Sequence, residues 1–174
     1  MELFIEILKY TLPSLIVFLT VWIMMRTWFR NEDRRRKQEF NLHISDEILP
    51  VRLQAYERII LLLERISPES LILRVGRKDL SARGLQQELL SAITSEFDHN
   101  IAQQTYISTE AWEKVKTAKN QVINLVNDTS REVKPDANGT TLGKLILERL
   151  AELKDPPTQV AVNFLKQEVK TLFL

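Results

Sequence analysis

Between Lys9 and Arg26 the chain carries no charged side chain, and the twelve positions that begin at Arg26 hold six basic ones. An apolar run of that kind sealed by a basic block restricts what the chain can be. Tyr10 to Met25, at about 1.5 Å per residue, covers about 24 Å of a hydrocarbon core ~30 Å thick. Arg26 can snorkel toward the headgroups, and Thr27, Trp28 and Phe29 extend the run, so Tyr10 to Phe29 reaches about 30 Å. Trp28 and Tyr10 fall where interfacial aromatics belong, Trp22 lies deeper, and Pro13 sits in the first turn, where its missing N–H matters little. The sequence therefore predicts a transmembrane helix. A cleaved leader would start with basic residues and end in small ones, whereas this run starts Met-Glu-Leu-Phe-Ile-Glu and ends Met-Met-Arg, so the segment is expected to be retained. The basic excess on the Arg26 side places the N-terminus outside and residues 30–174 in the cytoplasm. A buried core helix is the competing reading, and the Trp-Phe-Arg ending followed by a basic cluster argues against it.

The remainder of the chain reads as helical. Only 4 Gly and 6 Pro interrupt 174 residues that are 44% hydrophobic and 27% charged, a globular balance rather than a disordered one. Cysteine is absent, which removes disulfides, thiolate metal sites and cysteine nucleophiles together. The net charge of +1 divides unevenly, with +2 on residues 1–40 and −1 on the rest. A dedicated nucleic-acid-binding domain carries its basic excess on the folded part, and here that part has none.

Along the chain, 31–40 prolongs the first helix as a polar stalk and 41–50 breaks it. Asp46 and Pro50 then signal a helix over 51–66 that turns Leu53, Tyr56, Ile59, Ile60, Leu63 and Ile66 inward. Ile59 to Leu63 is too short for a second span, and Arg58 and Glu64 bracket it. Ser67-Pro68-Glu69 opens a short helix through Leu71, Ile72 and Leu73 that Gly76 ends. Another begins near Ser81 with Leu85, Leu89, Ile93, Phe97 and Ile101 four apart on one stripe. Ser108 or Thr109 caps the next, carrying Trp112, Val115, Val122, Leu125, Val126 and Val133. Lys134 to Gly139 is a loop. Thr141 opens a helix with Leu142, Leu145, Ile146, Leu150 and Leu153, and after Asp155-Pro156-Pro157 the last helix carries Val160, Phe164, Leu165, Val169 and Leu172. No segment alternates with period two. The expected architecture is all-α: a membrane anchor over 1–30, a basic juxtamembrane stalk and linker over 31–50, and an antiparallel bundle of about five helices over 51–174.

The candidate sites are few. Arg26, Trp28, Arg30, Arg34, Arg35, Arg36 and Lys37 serve first as a stop-transfer and orientation signal. They are also suited to anionic lipid headgroups, at about 1 kcal/mol per basic residue near a negative surface. Nucleic acid ranks last, because no stacking aromatics interleave with the basic residues. Glu96 and His99, three apart on one helix face, match half of the Glu-x-x-His arrangement of carboxylate-bridged metal sites in four-helix bundles. His43 has no glutamate three before it, and Glu57 and Glu64 stand beside Arg58 and Arg65 as exposed pairs, so a hydrogen-bonded polar helix face is the simpler reading. Val75-Gly76-Arg77-Lys78-Asp79, with Arg74 and Arg83, lacks the second glycine and Gly-Lys-Ser/Thr of a phosphate loop, and reads as a hinge with solvated charges. No Gly-x-Ser-x-Gly occurs, and Trp112 is expected to anchor the core unless exposed, where it would be a partner-binding hot spot.

Two segments, Val51-Arg52-Leu53-Gln54-Ala55-Tyr56-Glu57-Arg58 and the run EFDHNIAQQTYISTEAW from Glu96 to Trp112, resemble an uncharacterised family of small, single-span helical membrane proteins of Bacteroidetes-type bacteria. The resemblance covers most of the chain and implies a bacterial inner-membrane protein, with no activity and no site residues attached. The sequence as a whole points to a membrane-anchored cytoplasmic interaction or scaffold module, without catalytic activity or cofactor. Its expected partners are the lipid bilayer and a protein, another copy included, with no nucleic acid. The alternatives are a metal-binding bundle or enzyme centred on Glu96 and His99, and a membrane-tethered nucleic-acid-binding regulator.

Overall fold

The computed structural model describes the backbone of residues 2–77 and 79–173, and the side chains of 15–30, 32, 47–77 and 79–171. Among the described residues every regular element is helical: α1 (Glu2–Arg65), α2 (Pro68–Val75), α3 (Ala82–Asn100), a 3₁₀ turn (Ile101–Thr105), α4 (Thr109–Arg131), α5 (Gly139–Glu152) and α6 (Pro157–Phe173). The chain divides into two compact units between Leu49 and Pro50.

In the first unit, every described side chain from Leu15 to Arg30 is exposed. Thr20 and Thr27 donate their hydroxyls to the carbonyls of Ile16 and Ile23, both at 2.7 Å, so the helix satisfies its own polar side chains there. Phe18 stacks on Trp22 with ring centroids 6.3 Å apart, along the helix rather than across to another element. Among the described residues no helix is long and apolar enough to cross a membrane. The expected run from Tyr10 to Phe29 enters the described side chains only at Leu15, so its first five positions lie outside them.

The expected break over 41–50 is absent, and α1 continues through Pro50. A proline inside a helix forfeits one i→i−4 hydrogen bond and crowds the preceding turn, at about 3 kcal/mol. α1 accommodates that single defect and runs on to Arg65, and the boundary between units falls at the proline.

The second unit surrounds one core. α1 contributes Ala55, Tyr56, Ile59, Leu62 and Leu63 to it and Ile66 follows directly after the helix, while Leu53, expected inside, is 38% exposed. α4 packs most extensively on α6; α3 lies against α4 and α5, and α2 against α3 and α5. Serines start three of these helices. The hydroxyls of Ser67, Ser81 and Ser108 accept from the N–H groups of Ser70, Gly84 and Ala111, which satisfies donors the helix itself leaves unpaired. Leu85, Leu89, Ile93 and Phe97 are buried as a stripe, as are Val115, Val122 and Val126 opposite them. Trp112 is buried and stacks on Phe97 at 5.2 Å, which makes it a core anchor.

Three expectations need correcting here. Ile101 is 45% exposed, because α3 stops at Asn100 and the 3₁₀ turn rotates the following residues off the stripe. α5 opens at Gly139 rather than Thr141, since the Asn138 side chain caps it by accepting from Thr140 N–H at 2.9 Å. On α6 the inward residues are Ala161, Val162 and Leu165, with Val160 46% exposed. Leu172 lies outside the described side chains.

Candidate functional sites

The lipid-facing candidates fall in the first unit. Arg26, Trp28 and Arg30 are exposed, and Trp28 lies against Phe29 with ring centroids 5.7 Å apart. Arg34, Arg35, Arg36 and Lys37 lie outside the described side chains. From Leu15 to Phe29, twelve large apolar side chains are 47 to 74% exposed among the described residues. A helix apolar on all sides is ordinarily covered by protein or by lipid.

Glu96 and His99 go different ways. Glu96, on the last turns of α3, is only 19% exposed, and its Oε1 accepts from Arg65 Nη2 at 2.6 Å and pairs with Arg74 Nη1 at 3.2 Å. Arg74 also donates from Nη2 to the Arg65 carbonyl at 3.3 Å, which serves the open C-terminal end of α1. One carboxylate thus joins the ends of α1, α2 and α3. The hydrogen bond from Arg65 is the main reason the Glu96 carboxyl is held below its ordinary value; the charges of Arg65, Arg74 and His99 act in the same direction and burial opposes them. A carboxylate occupied by two guanidinium groups is poorly disposed to share its oxygens with a metal ion.

His99 stands on the exposed face of α3, beside a shallow hollow lined by Leu90, Ser91, Thr94, Ser95 and Asp98. Among the described residues no group of three or more His, Cys, Asp or Glu side chains is placed to hold a metal. His43 lies outside the described side chains. Arg65 and Arg74 are the functional partners that sequence reasoning missed. Each is the basic residue in the last turn of its helix, and that position was the one available signal.

A second polar cluster lies on the inner face of α1. The Tyr56 phenol is pushed up above its ordinary pKa by burial first and then by the Glu168 carboxylate on α6. The Ser108 backbone and Arg52 work in the opposite direction, and Arg52 Nε donates to the Tyr106 carbonyl at 3.1 Å. These groups tie α1 to the α4 cap and to α6. Their arrangement is that of a structural anchor.

A family model described as a family of unknown function (DUF7935) matches residues 2–172. No curated protein and no solved structure matches the chain.

Proposed function

The chain belongs to this family of unknown function, so its role has to come from its own residues, and we propose that it is a membrane-anchored interaction module without catalytic activity. The observation that carries the reading is the exposed apolar surface from Leu15 to Phe29, in a chain whose second unit already closes its own core. Such a surface in water carries a large hydrophobic penalty, which a bilayer removes. In this reading Tyr10 to Phe29 spans, Arg26, Trp28 and Arg30 meet the headgroups, and Arg34 to Lys37 hold the cytoplasmic side. The resemblance to single-span proteins of Bacteroidetes-type bacteria favours a bacterial inner membrane. The helical unit then presents its surface to a protein partner or to a second copy at that membrane. A metal-centred reading draws no comparable support, since Glu96 is engaged by Arg65 and Arg74.

The absence of cysteine gives a clean test. Ser91→Cys and Lys154→Cys place single thiols at exposed positions of the second unit of the full chain. A membrane-impermeant maleimide should label both only after the cells are opened. Labelling in intact cells overturns the orientation, and recovery of the unmodified chain in the soluble fraction overturns the anchor.

A further inference from the structure

A groove of ≈ 300 Å³ opens where α2, α3 and α5 meet, at the lower end of the range for small-ligand pockets. Ile72, Leu85 and Leu147 form its apolar walls, and Arg77 and Lys144 are its charged residues. No acidic side chain lines it among the described residues. Both cations are loosely engaged: Arg77 lies 3.9 Å from Asp79 and Lys144 lies 3.7 Å from Glu148. Leu147 is 37% exposed, an apolar side chain left at the mouth.

Three of the chain's four glycines line this groove, and they are not alike. A Cβ on Gly76 would collide with the Ile72 carbonyl oxygen, and one on Gly139 would come within 2.9 Å of the Leu80 carbonyl oxygen, so the backbone itself demands glycine at both. At Gly143 a Cβ would meet Ile72 Cγ2 at 3.4 Å and Leu85 Cδ2 at 3.7 Å, ordinary contacts. Gly143 lies in the interior of α5, and no described glycine has a positive φ. Neither backbone conformation nor this chain's own packing calls for glycine there, yet glycine weakens a helix interior relative to alanine. Its effect is to keep the hollow open between apolar walls and under two cations.

We infer that the groove binds a medium-chain fatty carboxylate, its alkyl chain lying over Gly143 between Ile72, Leu85 and Leu147 and its carboxylate held by Arg77 and Lys144. The pairing follows from the lining: apolar walls take the chain, and two cations held only by long ion pairs to Asp79 and Glu148 outside the lining take the charge. The inference does not rest on the membrane reading.

The test uses the full chain in neutral detergent, with decanoate carrying a terminal diazirine as the photoreactive probe. Adducts should map to Ile72–Arg77 and Gly139–Leu147 and be suppressed by decanoate about tenfold more effectively than by decanol. Arg77→Glu combined with Lys144→Glu should reduce labelling about tenfold. Gly143→Ala should reduce it while far-UV circular dichroism and the thermal midpoint show the fold retained. Adducts confined to the apolar run, equal competition by decanol, or a folded Gly143→Ala variant that labels like the wild type would each overturn the assignment. If Gly143→Ala fails to fold, the charge-reversed pair decides, and unchanged labelling in it overturns the assignment as well.

Discussion

If the exposed run of α1 is a membrane anchor, its resistance to substitution follows from its size. Twelve large side chains are roughly half exposed, and full burial of such a residue stabilises by about 1.5–3 kcal/mol, so lipid cover contributes about 9 to 18 kcal/mol. An aspartate in place of Leu or Ile near the centre of a span shifts insertion by about 3 to 4 kcal/mol. Leu19→Asp alone should therefore weaken insertion by a factor of about 10² to 10³ and still leave the chain in the membrane. Ile16, Leu19 and Ile23 lie three and four apart on one face and within two turns of the centre of Tyr10 to Phe29. Changing all three to Asp removes about 10 kcal/mol, most of the total. Alkaline carbonate extraction of membranes from cells expressing the full chain reads the outcome. The wild type and Leu19→Asp should stay in the pellet, and the triple variant should move to the supernatant. A triple variant that pellets as the wild type does, or a wild type that is extracted, refutes the reasoning.

Three further outcomes follow from the second unit. Glu96 has its pKa held below the ordinary 4.5, so its ion pairs stabilise the fold above that pH and the contribution is lost as pH falls through the depressed value. Thermal unfolding of Glu96→Gln should accordingly show a lowered midpoint at neutral pH, with the gap to wild type closing in acid; a gap that widens in acid contradicts the assignment. Trp112→Ala removes a buried ring stacked on Phe97, itself covered by Lys119 Nζ at 4.2 Å from its centroid. Urea unfolding should show a loss of about 3–5 kcal/mol, and a loss below about 1 kcal/mol would mean that Trp112 is not a core anchor. Gly143→Ala and Gly139→Ala should move stability in opposite directions. The first gains about 0.5–1 kcal/mol from helix propensity, and the second loses stability because its Cβ meets the Leu80 carbonyl oxygen.

What was legible in the sequence was whatever a local rule controls. Ser81 and Ser108 announce α3 and α4 because a serine hydroxyl meets an unpaired helix N–H two or three residues on. Leu85, Leu89, Ile93 and Phe97 announce a buried face because of the 3.6-residue period. The stripe misled at Ile101, where the Asn100 side chain donates to the Glu96 carbonyl at 2.8 Å and the helix tightens into a 3₁₀ turn. Pro50 misled differently, since a proline marks a preferred start and a tolerated interior defect with the same letter. At the candidate sites, the uncharged apolar run after Lys9 was plain in the sequence, whereas the arginines on Glu96 were not. Arg65 and Glu96 are 31 positions apart, and their pairing exists only once α1, α2 and α3 have packed.

The starts of α3 and α5 are stitched together by backbone hydrogen bonds, Ala82 N–H to the Ala137 carbonyl at 2.7 Å and Gly139 N–H to the Leu80 carbonyl at 2.8 Å. Neither helix can complete its first turn's hydrogen bonding without the other, although more than fifty residues separate them. This couples two distant segments into one cooperative opening unit. In amide hydrogen exchange Ala82 and Gly139 should share a single opening free energy, and any event that loosens the 134–139 loop will fray both helices at once.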